Sequence, residues 1–244
     1  MTRSLRDKTA VVTGVTSGIG RAMTAQLLAA GARVIGVARN APKLALLSVE
    51  FGDRFSALVA DLGVASDRLR TTTALTERAS EIDIFISNAA ECVYESSLTI
   101  APSALTRLFE TNVFAGIELC QAVIPHMREG SHIVQLSSIV TQFMPNARFG
   151  PYAASKSAIE QFVNALRLEL HPKKIHVSLV RPGLVDTPIY DKVPSFSSAR
   201  AKIAEQVPTW LTADDVAETI RWLLERPPHA VISELTILPT EQPR

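Results

Sequence analysis

A chain of 244 residues, 47% hydrophobic and 20% charged, can bury one sizeable core. Its net charge of +1, with Lys and Arg scattered, offers no basic patch for nucleic acid or an anionic membrane, and no apolar run approaches the ~18 residues that span a bilayer. The two cysteines, Cys92 and Cys120, have no metal or redox spacing, and the polar N-terminus lacks a signal-peptide core, so the expectation is a cytoplasmic protein with reduced thiols and no metal.

In chain order, residues 8–13 form a short Val-rich run that reads as a buried strand. A helix is predicted over 18–30, from Ile19, Met23 and Leu27, and Gly31 closes it. A strand over 33–39 follows, then a helix from Pro42 to about 50, a strand over 55–60 and a helix over 64–79. Residues 82–87 are a near-continuous apolar strand, and 102–127 read as one long helix. Strands over 132–137 and 175–181 flank a helix over 152–171. The stretch 184–211, interrupted by Pro188, Pro194 and Pro208, is irregular with a short helix near 199–206, and reads as a substrate lid. Thr212 caps a helix whose first turn carries Asp214 and Asp215, and 235–238 is a last strand. Strand and helix alternate, and the strands are apolar on both faces. That pattern predicts an α/β fold with a single doubly wound Rossmann domain over 1–244, whose seven-stranded, mainly parallel sheet has helices on both faces.

Two segments carry chemistry. Thr13-Gly14-Val15-Thr16-Ser17-Gly18-Ile19-Gly20 joins the first strand to the first helix. Glycines there let a pyrophosphate reach the backbone, and the helix N-terminus favours the anion. The second segment is Tyr152-Ala-Ala-Ser-Lys156, which places a phenol and an ammonium one helical turn apart on one face. A neighbouring cation favours the phenolate, so Tyr152 is expected to titrate below its usual ~10 and to exchange a proton with a substrate oxygen. Ser138, at the end of an apolar strand, supplies a hydroxyl beside them, with Ser137 as the alternative.

These motifs resemble the short-chain dehydrogenase/reductase family. Its spacing Thr-Gly-x-x-x-Gly-x-Gly matches Thr13 to Gly20. Asp61-Leu62 resembles the adenine-contacting pair, and Ser87-Asn88-Ala89-Ala90 resembles Asn-Asn-Ala-Gly with two departures. Asn112 resembles the helix Asn that holds a proton-relay water, and Ser138, Tyr152 and Lys156 match the catalytic Ser, Tyr and Lys. Pro182, Gly183, Val185 and Thr187 resemble the motif that holds the nicotinamide carboxamide.

The resemblance implies hydride transfer between a nicotinamide and a carbonyl or secondary alcohol, most simply a ketoreductase. Tyr152 would be the proton donor or acceptor, Lys156 its tuner and ribose ligand, and Ser138 the group that orients substrate oxygen. The second strand ends in Arg39 with no carboxylate, which favours NADP(H) over NAD(H). The expected substrate walls are Glu91, Cys92, Val93 and Tyr94 after the fourth strand and residues 139–149; most are apolar, with Phe143, Met144, Phe149 and Tyr190 prominent, which points to a fairly hydrophobic substrate. The long helices resemble those that pair family subunits into a homodimer or homotetramer. An NAD(P)-dependent alcohol dehydrogenase running in the oxidative direction, an epimerase or dehydratase on bound NAD, and a nucleotide-sensing binding protein are the competing readings.

Overall fold

The computed structural model describes residues 2–243, with the backbone alone at Lys192 and Pro194. Met1 and Arg244, the ends of the expected domain, lie outside the described residues. Strands β1 (Thr9–Thr13), β2 (Arg33–Ala38), β3 (Phe55–Val59), β4 (Ile84–Ser87), β5 (His132–Leu136), β6 (His176–Pro182) and β7 (Glu234–Ile237) form one sheet. Its order is β3-β2-β1-β4-β5-β6-β7. All six pairings are parallel, so the sheet is wholly rather than mainly so.

Side chains alternate between two cores. Val12, Val34, Ile84, Ile86 and Val134 face one core. It is closed by α1 (Gly18–Ala29), α2 (Ala41–Phe51) and α8 (Ala213–Leu224). Val11, Ile35, Phe85 and Ile133 face the other. There α3 (Ala65–Arg78), α5 (Ala115–Val123) and α6 (Gly150–Leu170) cover the sheet. Strands this apolar on both faces cannot sit at a water-facing sheet, which is why the pattern predicts two helical layers. The remaining helices are α4 (Pro102–Phe109) and α7 (Ser197–Gln206).

Local signals explain the helix ends. Gly31, φ 85°, takes the left-handed position after α1. Thr212 and Asp215 form a reciprocal capping box at α8. The single helix expected over 102–127 is interrupted instead. α4 stops at Phe109, Glu110–Phe114 widens to a π turn, and Ile124–His126 tightens to a 3-10 turn after α5. The wide turn contains Asn112, whose side-chain amide is committed to the chain after β4. Single π turns of this kind re-aim a side chain that the regular helix would misplace. α6 also starts two residues before the expected 152, with Pro151 in its first turn.

Strand order reverses between β1 and β4. In an open parallel sheet the crevice outside the strand ends at that point is where ligands bind.

Candidate active site

A cavity of about 390 Å³ opens at this crevice. Its wall includes Ser138, which follows β5, and Tyr152 and Lys156 from α6. Tyr152 and Lys156 are both buried. Burial pushes the Tyr152 hydroxyl well above its usual range, Cys92 and Tyr190 add to that push, and a hydrogen bond from Ser138 opposes it. The direction is opposite to the expected lowering by Lys156. The ammonium Nζ donates to the Leu136 carbonyl at 3.0 Å and lies 6.0 Å from the Tyr152 ring centroid. Burial pulls Lys156 itself down to about 8, although Cys92 and Glu160 raise it. At these buried positions desolvation outweighs the neighbouring charges.

Glu160, one turn beyond Lys156 on α6, knits the surroundings together. Its Oε1 accepts from Ser137 Oγ at 2.5 Å, Thr141 Oγ1 at 2.8 Å and Arg181 Nε at 2.9 Å. Its Oε2 accepts from Arg181 Nη2 at 2.8 Å, and Arg181 Nη1 reaches Glu234 at 2.6 Å. The carboxylate therefore ties the residues flanking Ser138 to α6 and to the residue before Pro182. Ser137 is spent on this contact, which leaves Ser138 as the hydroxyl facing Tyr152.

The glycine turn lines the same cavity. Gly14 (φ 76°) and Gly18 (φ 52°) occupy left-handed backbone that L side chains avoid. Ser17, the residue before α1, makes no side-chain cap to the helix, so the first turn faces the cavity uncapped, an arrangement that accepts an anion. Asn88 Nδ2 donates to Thr13 O at 2.8 Å, and Thr13 Oγ1 accepts from Asn88 N and Ala89 N at 2.9 Å, joining the ends of β1 and β4. The candidate cofactor residues Thr16, Ile19, Arg39, Asp61, Leu62, Ala90, Pro182, Gly183, Val185 and Thr187 also line this cavity.

Two predicted residues do not line it. Gly20 serves packing: a Cβ there would lie 2.4 Å from Gly14 O and 2.5 Å from Asn88 Nδ2. Asn112 is buried behind the wall, with Oδ1 accepting from Glu91 N at 2.8 Å and Nδ2 donating to Glu91 O at 2.9 Å and Ser155 Oγ at 3.0 Å. It acts here as a clamp on the strand-to-loop connection.

At the far end Arg39 Nη1 meets Glu91 Oε1 at 2.9 Å. Arg107 Nη2 meets the same oxygen at 3.0 Å and Asp61 Oδ1 at 2.7 Å. Against the upward push of burial, Arg107 and the Gly63 N–H hold Asp61 below the usual carboxylate range. Sequence reasoning reached Arg39 and Asp61, gave no role to Arg107, and expected Glu91 in the substrate wall, whereas its carboxylate pairs with Arg39 and Arg107. It also missed Gln242 in the C-terminal tail, whose Oε1 accepts from Leu184 N at 2.8 Å beside Gly183.

On the opposite side Phe143, Phe149 and Tyr190 line the cavity. Tyr94 and Phe196 pack behind them, edge to face with Phe149 and each other at 5.0–5.5 Å, and Tyr190 lies 4.9 Å from Phe196; Tyr94 and Met144, expected in the wall, do not reach it. Residues 184–190, Ile203, Gln206 and Val207 from the expected lid reach the cavity, Asp186 excepted. Arg200 anchors that stretch through Asp186 at 2.8 Å and lies over Trp210 at 5.2 Å. Arg148 lies over Tyr94 at 5.2 Å and is exposed, and it is absent from the wall. Burial raises the Cys92 thiol to about 12, so it lines the pocket as a thiol, not a nucleophile.

Residues 8–197 match the family model described as short chain dehydrogenase. A probable NADP-dependent dehydrogenase of Haemophilus influenzae is 30% identical, covering 98% of this chain and 96% of its own. Serine 3-dehydrogenase of Rhizobium radiobacter is 28% identical over 96% and 94%. Among solved structures, the closed form of serine dehydrogenase complexed with NADP+ superposes with a TM-score of 0.87 at 26% identity, over 97% and 96% of the two chains. A short chain dehydrogenase from Burkholderia cenocepacia in complex with NADP gives 0.86 at 27% identity, over 96% and 98%.

Proposed function

This chain belongs to the short-chain dehydrogenase/reductase family and is an oxidoreductase, and on that premise we propose that it is an NADP(H)-dependent ketoreductase for a fairly hydrophobic carbonyl substrate. The observation that carries the reading is the meeting of Ser138, Tyr152 and Lys156 with the uncapped glycine turn in one cavity. When bound, the cofactor supplies or takes up a hydride at nicotinamide C4.

The chain's own groups do the rest. The glycine turn from Gly14 to Gly18 and the α1 N-terminus would hold the pyrophosphate, Asp61 and Leu62 the adenine, and Asn88, Ala89 and Ala90 the adenosine side of the turn. Pro182, Gly183, Val185 and Thr187 would hold the nicotinamide. Ser138 donates to the substrate oxygen and fixes its position. Tyr152, neutral at pH 7 because burial holds its proton, gives that proton to the oxygen in the reductive direction. Lys156 keeps positive charge beside the phenol, the proton that Tyr152 gives up is replaced from solvent, and Asn112 fixes the connection that carries Glu91 and Cys92 into the wall.

NADP(H) is favoured by Arg39 and by the names of relatives, one called NADP-dependent and others solved with NADP. Arg39, Asp61, Glu91 and Arg107, all at the adenosine end, are with Lys156 the charged groups of the described wall. Apart from Lys156, the residues packed with Tyr152 include Phe149, Tyr190 and Val140, which suits a fairly hydrophobic substrate. Exposed Leu105, Phe114 and Leu168 on α4, the π turn and α6 suit pairing with a second copy, as a homodimer or homotetramer.

The test is a panel of ketones, aldehydes, 3-oxoacyl thioesters and secondary alcohols with NADPH and NADP. Consumption of NADPH with apolar ketones is the expected result. Tight nucleotide binding without turnover anywhere on the panel would point instead to a nucleotide-sensing protein.

A further inference from the structure

We propose that Glu91 sets how strongly the site prefers a 2′-phosphorylated nucleotide, because its carboxylate competes with that phosphate for Arg39. This rests on the reading of Arg39 as the 2′-phosphate partner.

The two arginines of the cluster are not equivalent. Arg107 is wedged against Gly63, where a Cβ would lie 2.2 Å from its guanidinium, and it is bonded to both Asp61 and Glu91. Arg39 is 44% exposed and has one close partner, Glu91 Oε1 at 2.9 Å, with Asp61 farther off at 3.9 Å. Arg39 is thus the cation free to turn toward a ligand, and Glu91 is what holds it. Asn112 fixes the Glu91 backbone through its N–H and carbonyl, and Arg107 Nε and Nη2 hold its carboxylate at 3.3 and 3.0 Å, so it stays beside Arg39.

Charge counting gives the sign. Arg39 and Arg107 cancel Asp61 and Glu91, so the adenosine end is neutral as a unit. A 2′-phosphate brings roughly −1.5 to −2 charges at neutral pH. It must take Arg39 from Glu91 and then lie close to an ionised carboxylate. A nucleotide with a plain 2′-hydroxyl meets neither cost. Removing only the Glu91 charge frees Arg39 and leaves the cluster at +1.

Binding of 2′,5′-ADP and of 5′-AMP to the whole protein, measured by calorimetry, separates the effects. Glu91→Gln should tighten 2′,5′-ADP about fivefold at low ionic strength, with the gain shrinking in salt, as expected of one partly screened pair. Affinity for 5′-AMP should move less than about twofold, since it lacks the charge that Glu91 repels. Arg39→Ala should lower the 2′,5′-ADP to 5′-AMP affinity ratio. If Arg39→Ala leaves that ratio at the wild-type value, the reading of Arg39 fails and this inference with it. A ratio that falls in Arg39→Ala yet stays level or drops in Glu91→Gln overturns the inference alone. It would mean that Glu91 orients Arg39 rather than competing for it.

Discussion

At the catalytic end of the cavity Glu160 and Arg181 are each 7% exposed and bonded on nearly every polar atom. At the adenosine end Arg39, Asp61, Glu91 and Arg107 form a comparable arginine–carboxylate network at 25–44% exposure. The same chemical pairing does different work in the two places. A buried pair costs several kcal/mol to break from one side, so it fixes geometry. An exposed pair is worth ~0–1 kcal/mol, so a ligand can take it apart. Proton transfer tolerates little displacement, whereas nucleotide choice needs side chains that can change partner.

The rigid end should therefore be the more sensitive to change, and Tyr152→Phe tests it most severely. Removing the acid should lower kcat by roughly 10²–10⁴-fold. Turnover near wild type with a confirmed substrate would dismiss Tyr152 as the proton donor. Ser138→Ala should cost roughly 10²–10³-fold, the range for one lost donor at a developing oxyanion. It carries a pH signature as well. The Ser138 hydrogen bond favours the phenolate and so lowers the Tyr152 pKa against the stronger upward push of burial. Without it the pKa rises further. The alkaline fall in reductive kcat, and the alkaline rise in oxidative kcat, should both move to higher pH. An unmoved profile would separate Ser138 from Tyr152.

Glu160→Gln probes the same end by stability. Arg181 would keep Glu234 but lose its buried partner, and the loss should be ~3 kcal/mol, near the low end for a pair broken from one side. Thermal unfolding should fall by roughly 6–12 °C for a domain of this size. Glu91→Gln, at the exposed end, should shift the same midpoint by less than ~4 °C. Equal shifts would erase the contrast between the two networks.

Much of this was legible in the chain. Alternating apolar runs gave all seven strands, because parallel strands are apolar on both faces, and the glycine turn fell between β1 and α1. Tyr152 and Lys156 shared a face through helical spacing alone. The π turn at Asn112 was hidden, since it answers to a backbone 21 residues away and leaves the apolar pattern of the helix intact. Glu160 had a signal that could have been read: a carboxylate four residues after a buried lysine is itself directed inward and needs a cation. Its partner Arg181 stands just before Pro182-Gly183. Arg107, Gln242 and the ion pairing of Glu91 had no such signal, because these contacts join separate elements and no local period records them.

The smallest effect belongs to the exposed end, where Arg39→Ala changes cofactor choice without touching the chemistry. Arg39 has no contact with Ser138, Tyr152 or Lys156; its described polar partners are Glu91 and Asp61. Reduction with NADH should therefore keep its kcat. With NADPH the loss should fall on KM, by about tenfold, as for one charge-assisted contact in a partly exposed site. Raising the salt should narrow the difference between wild type and variant, because the phosphate contact is screened and the Tyr152 step, buried away from solvent, is not. A fall in kcat with both cofactors would mean that the network around Arg39 reaches the catalytic end, and that the two halves of the cavity are one mechanical unit.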